Sequence, residues 1–189
     1  MSKITYKDFE NGDISNLKDL CNSLMRFQAE HAKIKPEVMA GMNFNNRLLP
    51  DYNNASRKYI TVAYEGDKPV GFAFASVSEV TEDDIFKKPI WAEDIDGVGF
   101  FPEDFVVPAT IGTYKLLYVD SNYRGLSIGG DLSKMIMKWL NSHDDVGDLW
   151  VFVANGNEEV ATFYEKYGFN HSHTVFNGFI EAYTQKAIR

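Results

Sequence analysis

The stretch LLYVDSNYRGLSIGG, residues 116–130, joins an apolar run to a turn rich in glycine and serine. Residues 111–119 predict a strand, and residues 128–142 predict a helix because their apolar residues fall on one face: Ile128, Leu132, Met135, Ile136, Trp139 and Leu140. Glycines let the backbone approach a ligand closely, and the start of a helix leaves its first N–H groups free at the positive end of its dipole. The stretch therefore predicts a site for an anionic cofactor between a strand and a helix.

The formal charge of −8 argues against nucleic acid or an anionic membrane surface as a partner, since both require clustered Lys and Arg. A bound anion must then be held by a local site. The N-terminal residues lack the apolar core of a signal peptide, and no stretch approaches the roughly 20 apolar residues of a membrane span. Cys21 is the one cysteine, which excludes an intrachain disulfide. We expect a cytoplasmic protein.

The remaining periodicity predicts a mixed α/β sheet within a single domain, residues 1–189. The further predicted elements are a strand at 4–9, a helix at 14–31 with Asp13 as its N-cap, a helix at 36–49 ended by Pro50, a hairpin of strands 59–64 and 70–77, a strand at 149–154, a helix at 157–167 ended by Gly168, and one or two closing strands within 169–184.

Two segments at this spacing resemble the GNAT superfamily of N-acetyltransferases, which use acetyl-coenzyme A. Residues 119–129 are similar to the pyrophosphate loop of the family, with Ser127 where the first glycine is usual. Residues 157–169, NEEVATFYEKYGF, are similar to the family's second motif of Asn, an aromatic–Tyr pair, Lys and Gly-Phe, with Val160 in place of the usual Ala. One glycine-rich loop alone is a modest signal, so the pair of motifs carries the resemblance.

The resemblance implies a GNAT-like acyl-CoA N-acyltransferase fold, with a mixed, mostly antiparallel central sheet flanked by helices. Acetyl-CoA would be the co-substrate, with its pantetheine arm along strand 117–119 and its pyrophosphate on the loop. The implied cofactor-binding residues are Leu117, Tyr118, Val119, Arg124, Gly125, Leu126, Ser127, Ile128, Gly129, Gly130 and Asn157. Tyr164 would be the catalytic residue, as the general acid that protonates the departing thiolate; the alternative is a Tyr164 that only fills the core.

The leading hypothesis is acetyl transfer to a primary amine of a small molecule by direct attack in a ternary complex. A peptide or protein amine is a less favoured acceptor. An alternative is a non-catalytic acyl-CoA-binding or regulatory module. A nucleotide-binding α/β protein is disfavoured because the loop lacks a full G-x-G-x-x-G pattern. A homodimer stays an open alternative. We expect no metal, since His171 and His173 have no third ligand at a recognisable spacing.

Neither strand beside the predicted site carries a carboxylate for a general base, and Glu79 and Asp120 are the nearest candidates. The connection at 78–109 holds nine acidic residues against Lys87 and Lys88. It could form a wall of the acceptor pocket that attracts a cationic amine. We favour the other interpretation, a solvated excursion held to the sheet by aromatic residues: Trp91, Phe100 and Phe101.

Overall fold

A seven-stranded sheet runs through the computed structural model, which describes residues 3–188. The strands are β1 (Ile4–Phe9), β2 (Arg57–Glu65), β3 (Lys68–Val80), β4 (Ala109–Val119), β5 (Asp148–Ala154), β6 (Asn170–Val175) and β7 (Ile180–Lys186). Their order across the sheet is β1-β2-β3-β4-β5-β7-β6. Only β4 and β5 pair in parallel, and every other neighbouring pair is antiparallel.

The helices cover both faces of this sheet. They are α1 (Lys18–His31), α2 (Pro36–Ala40), α3 (Leu49–Asn54), α4 (Glu82–Ile85), α5 (Ile128–Leu140) and α6 (Ala161–Glu165). The apolar face of α5 and the side chains of α6 share one core with β2–β5, whereas α1 and α3 bury theirs in a second core on the opposite face. Single α5 residues such as Leu132 and Ile136 are fully buried, as the helical spacing predicts. The predicted α/β class with a mixed, mostly antiparallel sheet is confirmed.

The segment predicted as one helix at 36–49 is broken into three pieces. A π-helical turn (Phe44–Leu48) stands between α2 and α3, and Pro50 lies in the first turn of α3 instead of ending a helix. A first-turn proline loses nothing, because its missing N–H would have had no partner there. The prediction that Pro50 ends the helix is therefore wrong, since the chain stays helical to Asn54.

The second motif forms less helix than predicted. A 3₁₀ turn (Glu158–Val160) precedes α6, which ends at Glu165. The next two N–H groups bond three residues back, from Tyr167 to Tyr164 and from Gly168 to Glu165, and these tighter turns end the helix. The prediction of Asp13 as the N-cap is wrong: Asp13 accepts from the N–H of Ser15, but a 3₁₀ turn with Ile14 at its N-cap stands before α1, and α1 begins only at Lys18.

Aromatic contacts hold the long connection between β3 and β4 to the sheet. The ring of Trp91 lies 5.7 Å from that of Phe179, and the ring of Phe100 lies 5.1 Å from that of Phe152 in β5. The expectation that aromatic residues fasten this segment is confirmed. Within residues 3–188 none of the helices has the length and apolar character needed to cross a membrane.

Candidate active site

The parallel strands β4 and β5 separate halfway along their length. They pair only from Ile111–Tyr114 to Asp148–Val151. Beyond Tyr114, β4 continues to Val119 with β3 on one side, and no described strand pairs with its other edge. Backbone N–H and C=O groups on that edge are free to bond an extended ligand. The predicted arm-binding residues 117–119 lie on this open edge.

A β-bulge lies where the two strands separate. Tyr114 pairs with Ala75 and Leu116 pairs with Phe74, which leaves Lys115 as the extra residue of β4. Leu116 then joins the core beside α1 and α3, and the Lys115 ammonium reaches Asp51 of α3 at 3.8 Å. The bulge therefore turns a cationic side chain out of the ladder at the point where the cleft begins.

The loop after β4 is held by its own short-range bonds. The Asp120 carboxylate accepts from the backbone N–H and side-chain amide of Asn122, which fixes a 3₁₀ turn. Gly125 and Ser127 have φ values of +80° and +62°, so both lie in the left-handed region. A serine there carries strain that a glycine would not. The family pattern, in which a glycine is usual at Ser127, thus matches a backbone conformation that favours glycine.

The first turn of α5 leaves its N–H groups without acceptors inside the described chain. The first N–H of this turn with a backbone acceptor is that of Asp131, which bonds the Ser127 carbonyl at 3.0 Å. A Cβ at Gly129 would meet only Val119 Cγ2 at 3.7 Å, and one at Gly130 only Tyr167 Oη at 3.9 Å. The packing of the protein itself therefore does not require glycine at either position, whereas close approach of a ligand does.

Two side chains hold this turn from behind. The Ser133 hydroxyl donates to the Gly129 carbonyl at 2.8 Å and accepts from the buried Tyr114 hydroxyl at 2.8 Å. The Tyr167 hydroxyl donates to the Gly130 carbonyl at 3.2 Å. The Ser133 bond fixes the peptide plane that carries the free Gly130 N–H, and the Tyr167 bond fixes the next plane, whose Asp131 N–H closes the first turn of the helix. Serine in the middle of a helix and a tyrosine 37 residues away gave no sequence signal for this role.

Arg124 extends the positive end of the site. Its guanidinium lies 5.3 Å from the ring centre of Phe27 and 5.8 Å from that of Tyr118, and its Nε donates to the Val119 carbonyl. Most of its other donors face solvent. The residue therefore places a charge beside the loop without being neutralised by a carboxylate.

The two residues predicted from the second motif follow β5. Asn157 precedes the 3₁₀ turn and is half-buried. Tyr164 is 7% exposed and packs edge-to-face against Tyr114 at 5.5 Å, and burial alone raises its pKa. Three side-chain groups of the described residues are fully buried and have no hydrogen-bond partner, and the Tyr164 hydroxyl is not one of them. The phenol thus stays protonated at neutral pH, close to the point where β4 and β5 separate.

A cavity of about 480 Å³ opens beside the bulge, on the face covered by α1–α3 and the long connection. Its floor is the segment of β4 from Tyr114 to Leu116, and rings from the connection and from β5 to β7 form an apolar wall: Trp91, Phe100, Phe101, Phe152 and Phe179. The size is that of pockets for small organic molecules. This cavity and the open edge of β4 meet at Leu116.

More cations than carboxylates line this cavity, whereas the chain as a whole has a negative net charge. Its lining includes the cations Arg47, Lys87, Lys88 and Lys115 and the carboxylates Asp51, Glu79 and Asp84. Of the nine acidic residues of the connection, only Glu79 and Asp84 take part. The Asp84 carboxylate is already bonded to the N–H and hydroxyl of Thr81. The connection therefore does not form the acidic wall of the pocket that the alternative interpretation predicted.

Asn155, at the end of β5, was not singled out from the sequence and closes one end of the site. Its side chain is buried, accepts from the N–H groups of Lys33 and Ile34, and donates to the Phe179 carbonyl. A Cβ on the next residue, Gly156, would lie 1.9 Å from the His31 carbonyl oxygen. The loop after α1 is therefore fastened directly to the end of β5. Among residues 3–188 no three His, Cys, Asp or Glu side chains lie close enough to hold a metal ion.

A family model described as an acetyltransferase (GNAT) domain matches residues 56–171, well over half of the sequence. The chain belongs to the GNAT acetyltransferase family. It is accordingly an acyltransferase, and the match spans both motifs, the bulge and the open edge of β4. No curated protein sequence matches the chain significantly.

Solved structures share the fold at low identity. The PaiA N-acetyltransferase from Thermoplasma acidophilum, in complex with coenzyme A, has 14% identity and a TM-score of 0.63, with 97% of this chain and 99% of that chain covered. NAA60 from Arabidopsis thaliana, in complex with a bisubstrate analogue, has 14% identity and a TM-score of 0.54, with 96% and 95% covered. A GNAT acetyltransferase from Staphylococcus aureus has 13% identity and a TM-score of 0.56, with 97% and 100% covered.

Proposed function

We propose that this GNAT protein transfers the acetyl group of acetyl-CoA to a primary amine of a small molecule. The observation that carries the proposal is a continuous path: the free N–H groups of residues 125–130 lead along the open edge of β4 into the cavity. The solved complexes of PaiA with coenzyme A and of NAA60 with a bisubstrate analogue add support from the same fold.

Each part of the coenzyme has a matching feature along this path. The pyrophosphate suits the N–H groups of residues 125–130, the dipole of α5 and the Arg124 guanidinium. The pantetheine arm carries amides that can pair with the edge of 117–119 as an added strand. An arm that starts at the loop and follows β4 reaches the cavity at Leu116. The thioester therefore meets the acceptor at the bulge, where backbone groups are not committed to the β5 ladder.

The proposed reaction is direct attack in a ternary complex. The amine nitrogen bonds to the thioester carbonyl carbon, the C–S bond breaks, and the sulfur leaves as a thiolate that takes a proton from the Tyr164 hydroxyl. Burial raises the pKa of this phenol, so the group is protonated when the thiolate forms; a thiolate in the same buried cleft is destabilised in the same way and can take the proton, and water then returns a proton to the tyrosinate. Asn157 would contact the arm from the other side of the cleft.

The amine must also lose a proton, and Glu79 is the carboxylate that we propose receives it. Asp120 is engaged in the turn of the pyrophosphate loop, and Asp51 is paired with Arg47. Glu79 lines the cavity, and among residues 3–188 it has no ion pair or side-chain hydrogen bond. An exposed carboxylate can accept the proton through water.

The test is calorimetric titration with acetyl-CoA, together with a thiol-release assay on a panel of primary amines. We expect micromolar binding with one site and release of coenzyme A with at least one amine. Binding without release for any small amine or short peptide would support the non-catalytic acyl-CoA-binding module instead. Absence of binding would refute the proposal.

A further inference from the structure

The cavity beside the bulge contains a cation pair that shares one carboxylate. Arg47 donates from one guanidinium nitrogen to Asp51 at 2.6 Å, and the Lys115 ammonium lies 3.8 Å from the same carboxylate oxygen. The three side chains are only 23%, 33% and 31% exposed for Arg47, Asp51 and Lys115. Two positive charges and one negative charge leave one positive charge unmatched inside a partly buried site.

The other charges of the cavity do not neutralise this cluster. Lys88 donates to the Ile95 carbonyl and lies over the Phe176 ring, and Asp84 is bonded to Thr81 and paired with Lys87. Glu79 is exposed at the rim. Arg47 keeps further donors beyond the one that bonds Asp51, since a guanidinium has five N–H groups.

Burial lowers the pKa of Lys115 and outweighs the opposing effect of the Asp51 carboxylate, and the nearby Arg47 charge lowers this pKa further. The protein has a formal charge of −8, yet several of its cations lie together in this cavity. The cavity is therefore the place that attracts an anionic group. Arginine is well suited to hold a carboxylate, because its planar fork matches the two oxygens.

The apolar wall opposite the cluster determines which kind of acceptor fits beside the anionic group. Trp91, Phe100, Phe152 and Phe179 present ring surface to the cavity, so a hydrophilic polyamine or aminoglycoside would leave that surface unused and would bring positive charge to the cation pair. An apolar body with a carboxylate fits both sides.

We propose that the acceptor is an amino acid with an apolar or aromatic side chain, whose carboxylate is bound by Arg47 with Lys115 beside it. This inference deepens the proposed acetyl transfer and rests on it. Lys115 is the extra residue of the bulge, next to Leu116, so a carboxylate held there keeps the α-amine of the same molecule close to the thioester. Arg47 belongs to the π turn before α3 and Lys115 to the bulge, and neither residue is part of the two family motifs.

The experiment compares matched acceptors in the thiol-release assay: phenylalanine against phenylalaninamide and phenethylamine. A charge-assisted hydrogen bond in a partly buried site predicts a kcat/KM about tenfold to a hundredfold higher for phenylalanine. Equal values, or a preference for the uncharged analogues, would overturn the inference while leaving acetyl transfer intact.

Variants separate recognition from folding. In Arg47→Gln the preference for phenylalanine over phenylalaninamide should collapse toward one, while kcat/KM for phenethylamine stays within about threefold; Arg47→Lys should restore part of the preference. Arg57→Gln is the matched control, because Arg57 also pairs with an aspartate, Asp145, but lies on the surface outside the cavity. An unchanged preference in Arg47→Gln would contradict the assignment.

A binding measurement keeps the inference distinct from the transfer reaction. N-acetylphenylalanine and N-acetylphenethylamine differ only in the carboxylate, and both can be titrated into the protein without turnover. Tighter binding of N-acetylphenylalanine by about tenfold, lost in Arg47→Gln, would support the carboxylate site even if no acetyl transfer occurred. Equal binding of the two compounds would count against it, whatever the thiol-release assay shows.

Discussion

The coenzyme side of the cleft and the acceptor side are built in different ways. The proposed coenzyme side is one continuous segment, from Leu117 to Gly130, which offers unpaired backbone groups on a strand edge and at a helix start. The acceptor cavity is assembled from α1–α3, the long connection, β4, β5 and β7, and presents side chains. A backbone site depends on conformation and so tolerates many side chains, whereas a side-chain site can change its ligand through single substitutions. The coenzyme side can therefore stay constant while the acceptor cavity is specialised for a different ligand.

Replacement of Tyr164 by Phe separates chemistry from binding most strongly. We expect kcat to fall by about 10²–10⁴-fold, because the thiolate loses its proton donor, while the acetyl-CoA Kd stays unchanged. Steady-state kinetics and calorimetry measure the two effects. Tyr183→Phe is the control, since Tyr183 is buried to a similar degree in the same core but belongs to β7, which is not a neighbour of β4 in the sheet. An unchanged kcat in Tyr164→Phe would reduce Tyr164 to a core residue.

A methyl group at Gly129 should damage the coenzyme side alone. Gly129→Ala has room in the free protein, so the melting temperature should hold or rise slightly, since alanine is the better helix former. The acetyl-CoA Kd should rise by about tenfold or more because the pyrophosphate can no longer approach the turn. Gly147→Ala, where a new Cβ would lie 4.0 Å from the Thr110 carbonyl oxygen, should leave the affinity unchanged. Equal affinities of both variants would remove the role assigned to the turn.

Asp51→Asn should damage the acceptor side alone. Loss of the carboxylate leaves Arg47 and Lys115 facing each other, and the free energy of unfolding should fall by about 1–3 kcal/mol, with no change in acetyl-CoA affinity. Asp145→Asn, which breaks an exposed pair with Arg57, should change the free energy of unfolding much less. Denaturant titrations of both variants measure the difference.

The stability difference between the wild type and Asp51→Asn should depend on pH. The cations Arg47 and Lys115 hold the pKa of Asp51 below its ordinary value, against the opposing effect of burial. A carboxyl whose pKa is lower in the folded state contributes stability above its unfolded pKa, and that contribution is lost as the pH falls through the folded pKa. The stability gap between the wild type and Asp51→Asn should be complete at pH 7 and shrink below about pH 4. A gap independent of pH would contradict the ion-pair assignment.

The smallest effect is expected at Ser127. With φ at +62°, Ser127→Gly should relieve strain and change the free energy of unfolding by no more than about 1 kcal/mol, in the stabilising direction. Ser127→Ala keeps the strain and removes the hydroxyl. If the Ser127 hydroxyl donates to a phosphate oxygen, both variants lose a few-fold in acetyl-CoA affinity; if only the backbone binds, neither does.

The sequence predicts the helix, turn and strands around the proposed coenzyme site well because their signals are local. The apolar face of α5, the turn before it and the β2–β3 hairpin each follow from neighbouring residues, and the structure shows all three. The acceptor side escapes prediction because its parts are distant. Nothing near Arg47 points to Lys115, and the bulge that turns Lys115 toward Asp51 is a property of the pairing with β3. The π turn before Pro50, which places Arg47, follows no simple periodicity.

The most direct test of backbone binding is an amide NMR titration of the protein with coenzyme A. The account predicts large shifts for the N–H groups of residues 117–119 and 124–130, saturating together, with little change at Arg47 and Asp51. Shifts confined to the acceptor cavity, or no shifts at all, would contradict the assignment of the loop and the open edge of β4 to the coenzyme.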